Sequence, residues 1–482
     1  MSSTFPIHLF EEHSSTLPIW WQHRATPRVA IYLDAHLDLQ QTDEEKIGTL
    51  ARCQTLDQVQ ALEAPHHLNQ ANRYAFGIEN FLYPASKLKL IERLVWVAPP
   101  HIPRSYSPAL LDYVQQMSGI SFEELTGFVA AGTDSLRGRL LGLDITICHY
   151  DDLANLDIGS NYFLDIDIDY FVEVPGDRLW IDPGKVVQYI IDQLGSPDVA
   201  TISRAVSSGF TPLQYRFVGD YIYAVLRKDQ EESLHYQRLY QSVRYIDLGD
   251  LDNALSICNK AIESQPDCAA SYNLIALASN DVKQSVAMHA HVAELDKAYS
   301  FDLSREACGY PHRRRHLSNT QLRNLTTKLE KLEAESEQRV LAEVAMAQLY
   351  ANAGMLKEAW QLLKKQTGDL ANHGDLLLEI AGQILSSNKP QQARQLLDMA
   401  RKYDKNRASA TLYLGDLAFH AGDASQALIY YIETHELAPA WMLPLENQRL
   451  CYKVLGNTAQ VDHINALIEH RKQVLSHLPG MS

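Results

Sequence analysis

A chain of 482 residues exceeds what one hydrophobic core usually organises, so two or more domains are expected. With 46% hydrophobic and 21% charged residues, and no window near the roughly 18 uninterrupted apolar residues of a membrane span, a globular protein is expected rather than a membrane one. The net charge of -16 repels phosphate backbones and argues against nucleic acid as a partner.

The N-terminal stretch MSSTFPIHLFEEH lacks a basic region followed by an apolar run. No secretory signal is expected, and the cytoplasm is the expected location. Cysteines 53, 148, 258, 268, 308 and 451 are scattered without a CxxC pair, which speaks against a disulfide framework or a zinc ribbon.

Through about residue 229, short and almost continuously apolar runs alternate with helix-length segments. RVAIYL (28–33), RLVWVA (93–98), DITICH (144–149), YFLDIDI (162–168) and VATIS (199–203) predict strands buried on both faces of a mostly parallel sheet. In such α/β domains chemistry gathers outside the carboxyl ends of the strands, and two of these runs end in acidic clusters.

The first is Asp34-Ala-His36-Leu-Asp38. Three ligand-type residues at alternate positions project to one side if the chain stays extended, although the same residues also suit a capped turn with Asp34 accepting backbone N–H bonds. In the loop that follows, His66 and His67 are candidates for a proton relay or substrate contact; loop histidines are commonly just solvated. Glu79, in GIENF, reads on its own as a helix N-terminal carboxylate satisfied by backbone amides.

The second cluster, Asp165-Ile-Asp167-Ile-Asp169, places three acids at strand spacing, where their mutual repulsion calls for cations. Carboxylates with imidazoles and no thiolate suit divalent ions such as Mn2+. With His13 included, six ligands are available, enough for two metals sharing bridging carboxylates.

From about 230 to 480 the texture becomes Ala- and Leu-rich with helical periodicity. Gly354, Asn388, Gly422 and Gly456 recur every 34 residues, with Ala359, Ala393 and Ala427 five positions after the first three and Ala347, Ala381 and Gly415 seven before. This is a tetratricopeptide pattern, and Gly249, Asp250, Ala254, Ala261 and Pro266 form a separate unit of the same kind. Residues 267–300 read as a degenerate copy and about 301–336 as an irregular linker. Within that linker, Arg313, Arg314 and Arg315 form the densest positive cluster. A solvated turn is the plain reading there, and contact with an acidic peptide the functional one.

The segments EEHSSTLPIW, YLDAHLDL and YFLDIDIDYF resemble, in order, the three metal motifs of the arginase–deacetylase superfamily. More narrowly, EEH…LPIWW, DAHLDL, FGIENFLYPA, LVWVAPP and FLDIDIDYF resemble the UPF0489 family, which includes the peptide arginases of ribosomal peptide biosynthesis. The resemblance spans most of residues 5–215. It implies an arginase–deacetylase-like parallel sheet flanked by helices, joined to an all-α tetratricopeptide solenoid.

It also implies two Mn2+ held by His13, Asp34, His36, Asp38, Asp167 and Asp169, with Asp34 and Asp167 bridging and Asp165 behind the ligands. Asp38 matches the arginase residue that shuttles a proton. The implied reaction converts arginine in a precursor peptide to ornithine plus urea, with the repeats recruiting the peptide. The stretch DVATISRAVSSGFTP has no Glu where arginases grip the guanidinium and carries Arg204 instead, so Glu79 takes that role as a candidate for catalysis and substrate binding. A metal-dependent deacetylase or amidohydrolase and a non-catalytic repeat scaffold are the other readings. The oligomeric state stays open.

Overall fold

The computed structural model describes residues 5–69, 73–101, 114–131, 135–310, 312–313, 315–333, 336–365, 374–386 and 390–478. An eight-stranded sheet organises the first half. Its strands are β1 (Ile7–Phe10), β2 (Arg28–Leu33), β3 (Ile91–Val97), β4 (Val129–Ala130), β5 (Leu136–Leu140), β6 (Leu143–Cys148), β7 (Tyr162–Asp167) and, after the small ribbon β8 (Val172–Glu173) and β9 (Arg178–Leu179), β10 (Val199–Ser203). The order is β1-β10-β7-β2-β3-β6-β5-β4. All pairs from β1 to β6 are parallel, and β5 and β4 close one edge as an antiparallel hairpin.

The five apolar runs all form strands because each is buried on both faces. Along β2, Val29, Ile31 and Leu33 enter the core on one side of the sheet, Ala30 and Tyr32 the core on the other. Two features escape a hydrophobicity scan. Edge strand β1 is only half-buried throughout, and β4 is exposed. The fourth predicted run ends one residue early, with β7 stopping at Asp167 and a 3-10 turn covering Ile168–Phe171.

The second half is helical. Hairpins such as Glu337–Asn352 with Leu356–Lys365 and Asp404–His420 with Ala424–Leu437 recur with the predicted spacing. Gly249, Gly354, Gly422 and Gly456 all adopt φ between 72° and 84°, the left-handed conformation that ends a helix without a Cβ penalty. Asn388 lies outside the described residues. Ala347, Ala359, Ala381, Ala393 and Ala427 are fully buried, and a Cβ at Gly415 would meet the Tyr431 ring at 2.6 Å. The small positions therefore mark where helices touch. No helix among the described residues is long and apolar enough to cross a membrane.

The two halves are joined more closely than a boundary at 229/230 suggests. One face of the sheet packs against helices Pro183–Leu194 and Phe217–Arg227, and the same core contains Leu239, Val243, Cys258, Ala261, Ala270, Leu274 and Ile275 from the first helices of the second half. The far end returns to the opposite face: Ala440 joins the core of Phe122 and Leu125, and Val474, Leu475 and Leu478 pack against it. Backbone bonds Gly119 N–H to Leu437 O (2.8 Å) and Ala440 N–H to Ile120 O (3.1 Å) tie that return.

The expected irregular linker is more ordered than its composition suggests. Ser318 and Gln321 form a reciprocal capping box that starts helix Asn319–Leu329. Leu317 is buried, and so are Ala307 and Cys308. Within the basic cluster Arg313 is not solvated: it binds Asp177 (2.5 Å) and the Phe210 carbonyl, while the exposed Arg315 pairs with Glu306 (3.1 Å). The functional reading, contact with an acidic peptide, is thereby displaced at Arg313 by internal partners. Arg314 lies outside the described residues.

Candidate metal centre

Three strands bring the sequence-predicted ligands together at the carboxyl edge of the sheet. β1 delivers His13 through the 3-10 turn His13–Ser15, β2 delivers Asp34, and β7 delivers Asp165 and Asp167. The chain after β2 does not stay extended. Asp34 Oδ1 accepts the His36 N–H at 2.6 Å and bends the backbone, so the capped-turn reading and the ligand reading describe the same residue. Asp169 likewise reaches the site through the 3-10 turn, whose N-terminus is capped by Asp167 accepting the Asp169 N–H at 3.1 Å.

Two groups of ligand atoms result. His13, Asp34 and Asp167 form one, and Asp34, His36 and Asp169 the other, with the atoms of each group within 4.8 Å of one another. Asp34 is the residue common to both. Asp167, expected to bridge along with Asp34, belongs to the group with His13 and not to the group with His36. Asp38 Oδ2 lies 3.3 Å from His13 Nδ1, beside the first group, with a tenth of its side chain exposed.

The histidine tautomers are held from behind. Asp165 accepts from His13 Nε2 at 2.7 Å and is fixed by the hydroxyls of Thr16 (2.8 Å) and Thr201, which puts it where sequence reasoning set it, behind the ligands. His13 Nδ1 is thereby left facing Asp34 (3.0 Å), Asp38 and Asp167 (3.3 Å). His36 Nδ1 faces Asp169 Oδ2 at 2.9 Å and Asp34 Oδ1 at 3.5 Å. Tyr32 donates its hydroxyl to Asp34 Oδ2, and the Trp96 indole N–H bonds the Asp34 carbonyl at 2.9 Å.

The electrostatics demand positive charge. Burial pushes Asp167 well above the usual carboxylate range, with the Asp169 charge adding to it, and raises Asp169 with help from Asp34. Asp38 is pushed up to about 7 by burial and by Asp34. Asp34 is held below its ordinary value: burial opposes this, but the close approach of the His13 and His36 imidazoles prevails. Both histidines are raised well above theirs despite burial, His13 by Asp165 and His36 by Asp169. Protons are thus drawn to the places where cations would sit.

An observation independent of charge tests the fit. His13 Nδ1 and Asp169 Oδ2 are buried and, among the described residues, have no hydrogen-bond partner of proper geometry, although each has an oppositely charged neighbour about 3 Å away. Close approach without hydrogen-bond direction is how ligands converge on a shared ion. One such atom lies in each group. The residues fit a pair of divalent cations.

Asp165→Ala is expected to keep at least one metal bound, because it removes only the support behind His13. A Mn2+ titration should show a loss of affinity of about 10–100-fold at that position, the usual scale for a lost partner of a metal-bound histidine. Unchanged binding at both positions would show that the Asp165–His13 contact orients nothing.

The substrate-side candidates separate. His66 is buried with Nδ1 accepting the Leu68 N–H (3.0 Å) and Nε2 on the Ser207 carbonyl (3.3 Å), so both of its nitrogens serve the backbone. His67 Nδ1 lies 3.4 Å from Glu79 Oε1, and Asp375 of helix Gly374–Ser386 completes that group. The Phe210 ring meets both His36 (5.0 Å) and His67 (5.5 Å) edge-on, which links the His67–Glu79 pair to the metal ligands through one ring. Arg204, found where a guanidinium-binding Glu was sought, is taken by Asp220 at 2.6 Å.

Two neighbours of the site were missed. His101, just past β3, lies within electrostatic reach of Asp169, His36 and Glu173; its position beyond a strand's carboxyl end was the available signal. Tyr310, from the supposed linker, places its hydroxyl 2.8 Å from His36 Nε2, and no local pattern announces it.

No family model and no curated protein matches the chain. A solved structure described as a functional characterization of Pseudomonas aeruginosa pilF is similar at 14% identity over 50% of this chain and 92% of that one, with a TM-score of 0.20. A similarity of that size transfers neither fold nor function.

Proposed function

We propose that this protein is a dinuclear metal hydrolase that converts arginine side chains of a peptide to ornithine with release of urea. The observation that carries the reading is the pair of ligand groups sharing Asp34, each holding one buried ligand atom without a hydrogen-bond partner. His13, Asp34, Asp167 and Asp38 would hold one Mn2+, and Asp34, His36 and Asp169 the other. When bound, such a pair supplies Lewis acidity and a water acidified to near neutrality.

The chain's own residues do the rest. Asp38, the acid beside the ligands with a partly exposed side chain, accepts a proton on the attacking side and returns it to the departing amine. Glu79 pairs with the guanidinium across the Phe210 ring, and the alternatives thin out: Glu11 is bound by Arg216 and Glu12 accepts from Ser207. The helical hairpins present an extended surface, which raises the local concentration of a peptide at the site.

The test is incubation of the Mn2+-loaded protein with arginine-containing and acyl-lysine-containing peptides, read by mass. Loss of CH2N2 from arginine supports the reading. Loss of the acyl group alone assigns the site to amide hydrolysis, and no turnover with both metals bound leaves a scaffold. Glu79→Gln should abolish ornithine formation while retaining both metals, since an unpaired guanidinium in a half-buried site costs several kcal/mol. Unchanged kinetics in that variant would exclude Glu79 and point to Glu173.

A further inference from the structure

Residues Cys308, Gly309 and Tyr310, with His312 and Arg313, come from the helical half to the mouth of the metal centre. Three features pin them there. Gly209 and Gly309 meet backbone to backbone, both at positive φ (77° and 82°), and a Cβ on Gly309 would overlap the Gly209 carbonyl. Arg313 reaches Asp177 through both Nε (2.6 Å) and Nη2 (2.5 Å), while its Nη1 bonds the Phe210 carbonyl. The guanidinium also lies 5.0 Å from the Tyr310 ring centre, and His312 Nε2 adds a contact to Asp177 at 3.0 Å.

What this anchoring accomplishes is to fix one side chain. The Tyr310 ring stacks on His36 (5.7 Å, 23°) and meets Phe210 edge-on (5.8 Å, 87°), with its oxygen 2.8 Å from His36 Nε2. The two histidines of the centre are therefore built alike. Each turns Nδ1 towards the carboxylates, and each has Nε2 held by a partner: Asp165 for His13, Tyr310 for His36. An imidazole that gives its Nδ1 lone pair to a cation must carry its proton on Nε2, so the Tyr310 oxygen is placed to accept that proton. The difference lies in origin. Asp165 belongs to the sheet, whereas Tyr310 is 274 residues from His36 and arrives only when the helical half is docked.

We propose that Tyr310 is a positioning residue for the metal shared by Asp34, His36 and Asp169, so that the helical half completes the metal centre rather than only recruiting a substrate. This rests on the dinuclear reading above. It makes affinity at the His36 position depend on a segment outside the α/β half, while the His13 position depends on the sheet alone.

The experiment is a Mn2+ titration of the full chain, its Tyr310→Phe variant and its Gly309→Ala variant, followed by elemental analysis and by the electron paramagnetic resonance of bound Mn2+. Tyr310→Phe keeps the ring stack and removes only the oxygen. Gly309→Ala leaves every ligand intact and pushes the segment off Gly209. Wild-type protein should bind two Mn2+ as a magnetically coupled pair. Both variants should bind the first as tightly as wild type and the second about 10–100-fold more weakly, giving the signal of isolated Mn2+ at low loading. Two ions bound at wild-type affinity in Tyr310→Phe would overturn the proposal alone. Equal weakening of both positions would also overturn it, because the segment would then act on the whole site. Wild-type protein that binds no divalent cation would overturn the dinuclear reading and this proposal with it.

Discussion

Asp34→Ala is expected to empty both metal positions at once. Asp34 is the one ligand common to the two groups, with Oδ2 3.0 Å from His13 Nδ1 and Oδ1 3.5 Å from His36 Nδ1. Losing both cations removes the acidified water as well as the charge that balances the remaining acids, so turnover should fall on the order of 10³-fold or more. Stability should respond with a sign that distinguishes the metal from the fold. In excess Mn2+ the wild-type protein gains about 2.7 kcal/mol at a free concentration 100 times its dissociation constant, and the variant gains nothing. Without metal the variant should be somewhat less stable near neutral pH, because the Asp34 charge is favoured by His13 and His36 and its removal leaves the buried Tyr32 hydroxyl and His36 N–H without their acceptor. Elemental analysis and melting with and without chelator read both effects. A variant that retains one tightly bound ion would show that Asp34 does not bridge.

A chain ending after residue 229 is expected to fail as a folded protein, although its composition is that of a complete α/β domain. It would lose Leu239, Val243, Leu274 and Ile275 from the core on one face of the sheet. At about 1.5–3 kcal/mol for each fully buried aliphatic side chain, this loss rivals the whole net stability of a typical domain, about 5–15 kcal/mol. The other face would lose Ala440 and the packing of Val474, Leu475 and Leu478. Near-ultraviolet circular dichroism should show no fixed aromatic packing and heating no cooperative transition. Leu274→Asp in the full chain separates the cause: it should lower the melting temperature sharply without touching any ligand. If residues 1–229 melt cooperatively and bind two Mn2+, the shared core is dispensable and the helical half is an independent attachment.

Read residue by residue, the sequence announces whatever is written in local pattern. β2, β3, β6, β7 and β10 are visible because a strand buried on both faces must be apolar at nearly every position, and Val29 to Leu33 meets that condition by itself. Asp34, Asp38, Asp167 and Asp169 stand out because acids at the ends of such strands need a counter-charge, His36 because it alternates with two of them, and His13 through the resemblance of its segment to a metal motif. The turn glycines, Gly354 and Gly422 among them, stand out because a helix that stops in the left-handed region favours a residue without a Cβ.

Tertiary structure decided the rest. Edge strand β1 and the exposed β4 are held by a neighbour's backbone bonds, which leave little trace in side-chain hydrophobicity. The bend after Asp34 and the turn after Asp167 replaced extended spacing, because the acids capped nearby backbone amides before they could line up. His66 bonds the backbone, Arg313 pairs with Asp177 and Arg315 with Glu306. Tyr310 at His36 and the core shared across residue 230 had no local signal at all. A hydrophobic or polar period tells which face of an element must be covered, and only the packed chain determines which distant segment covers it.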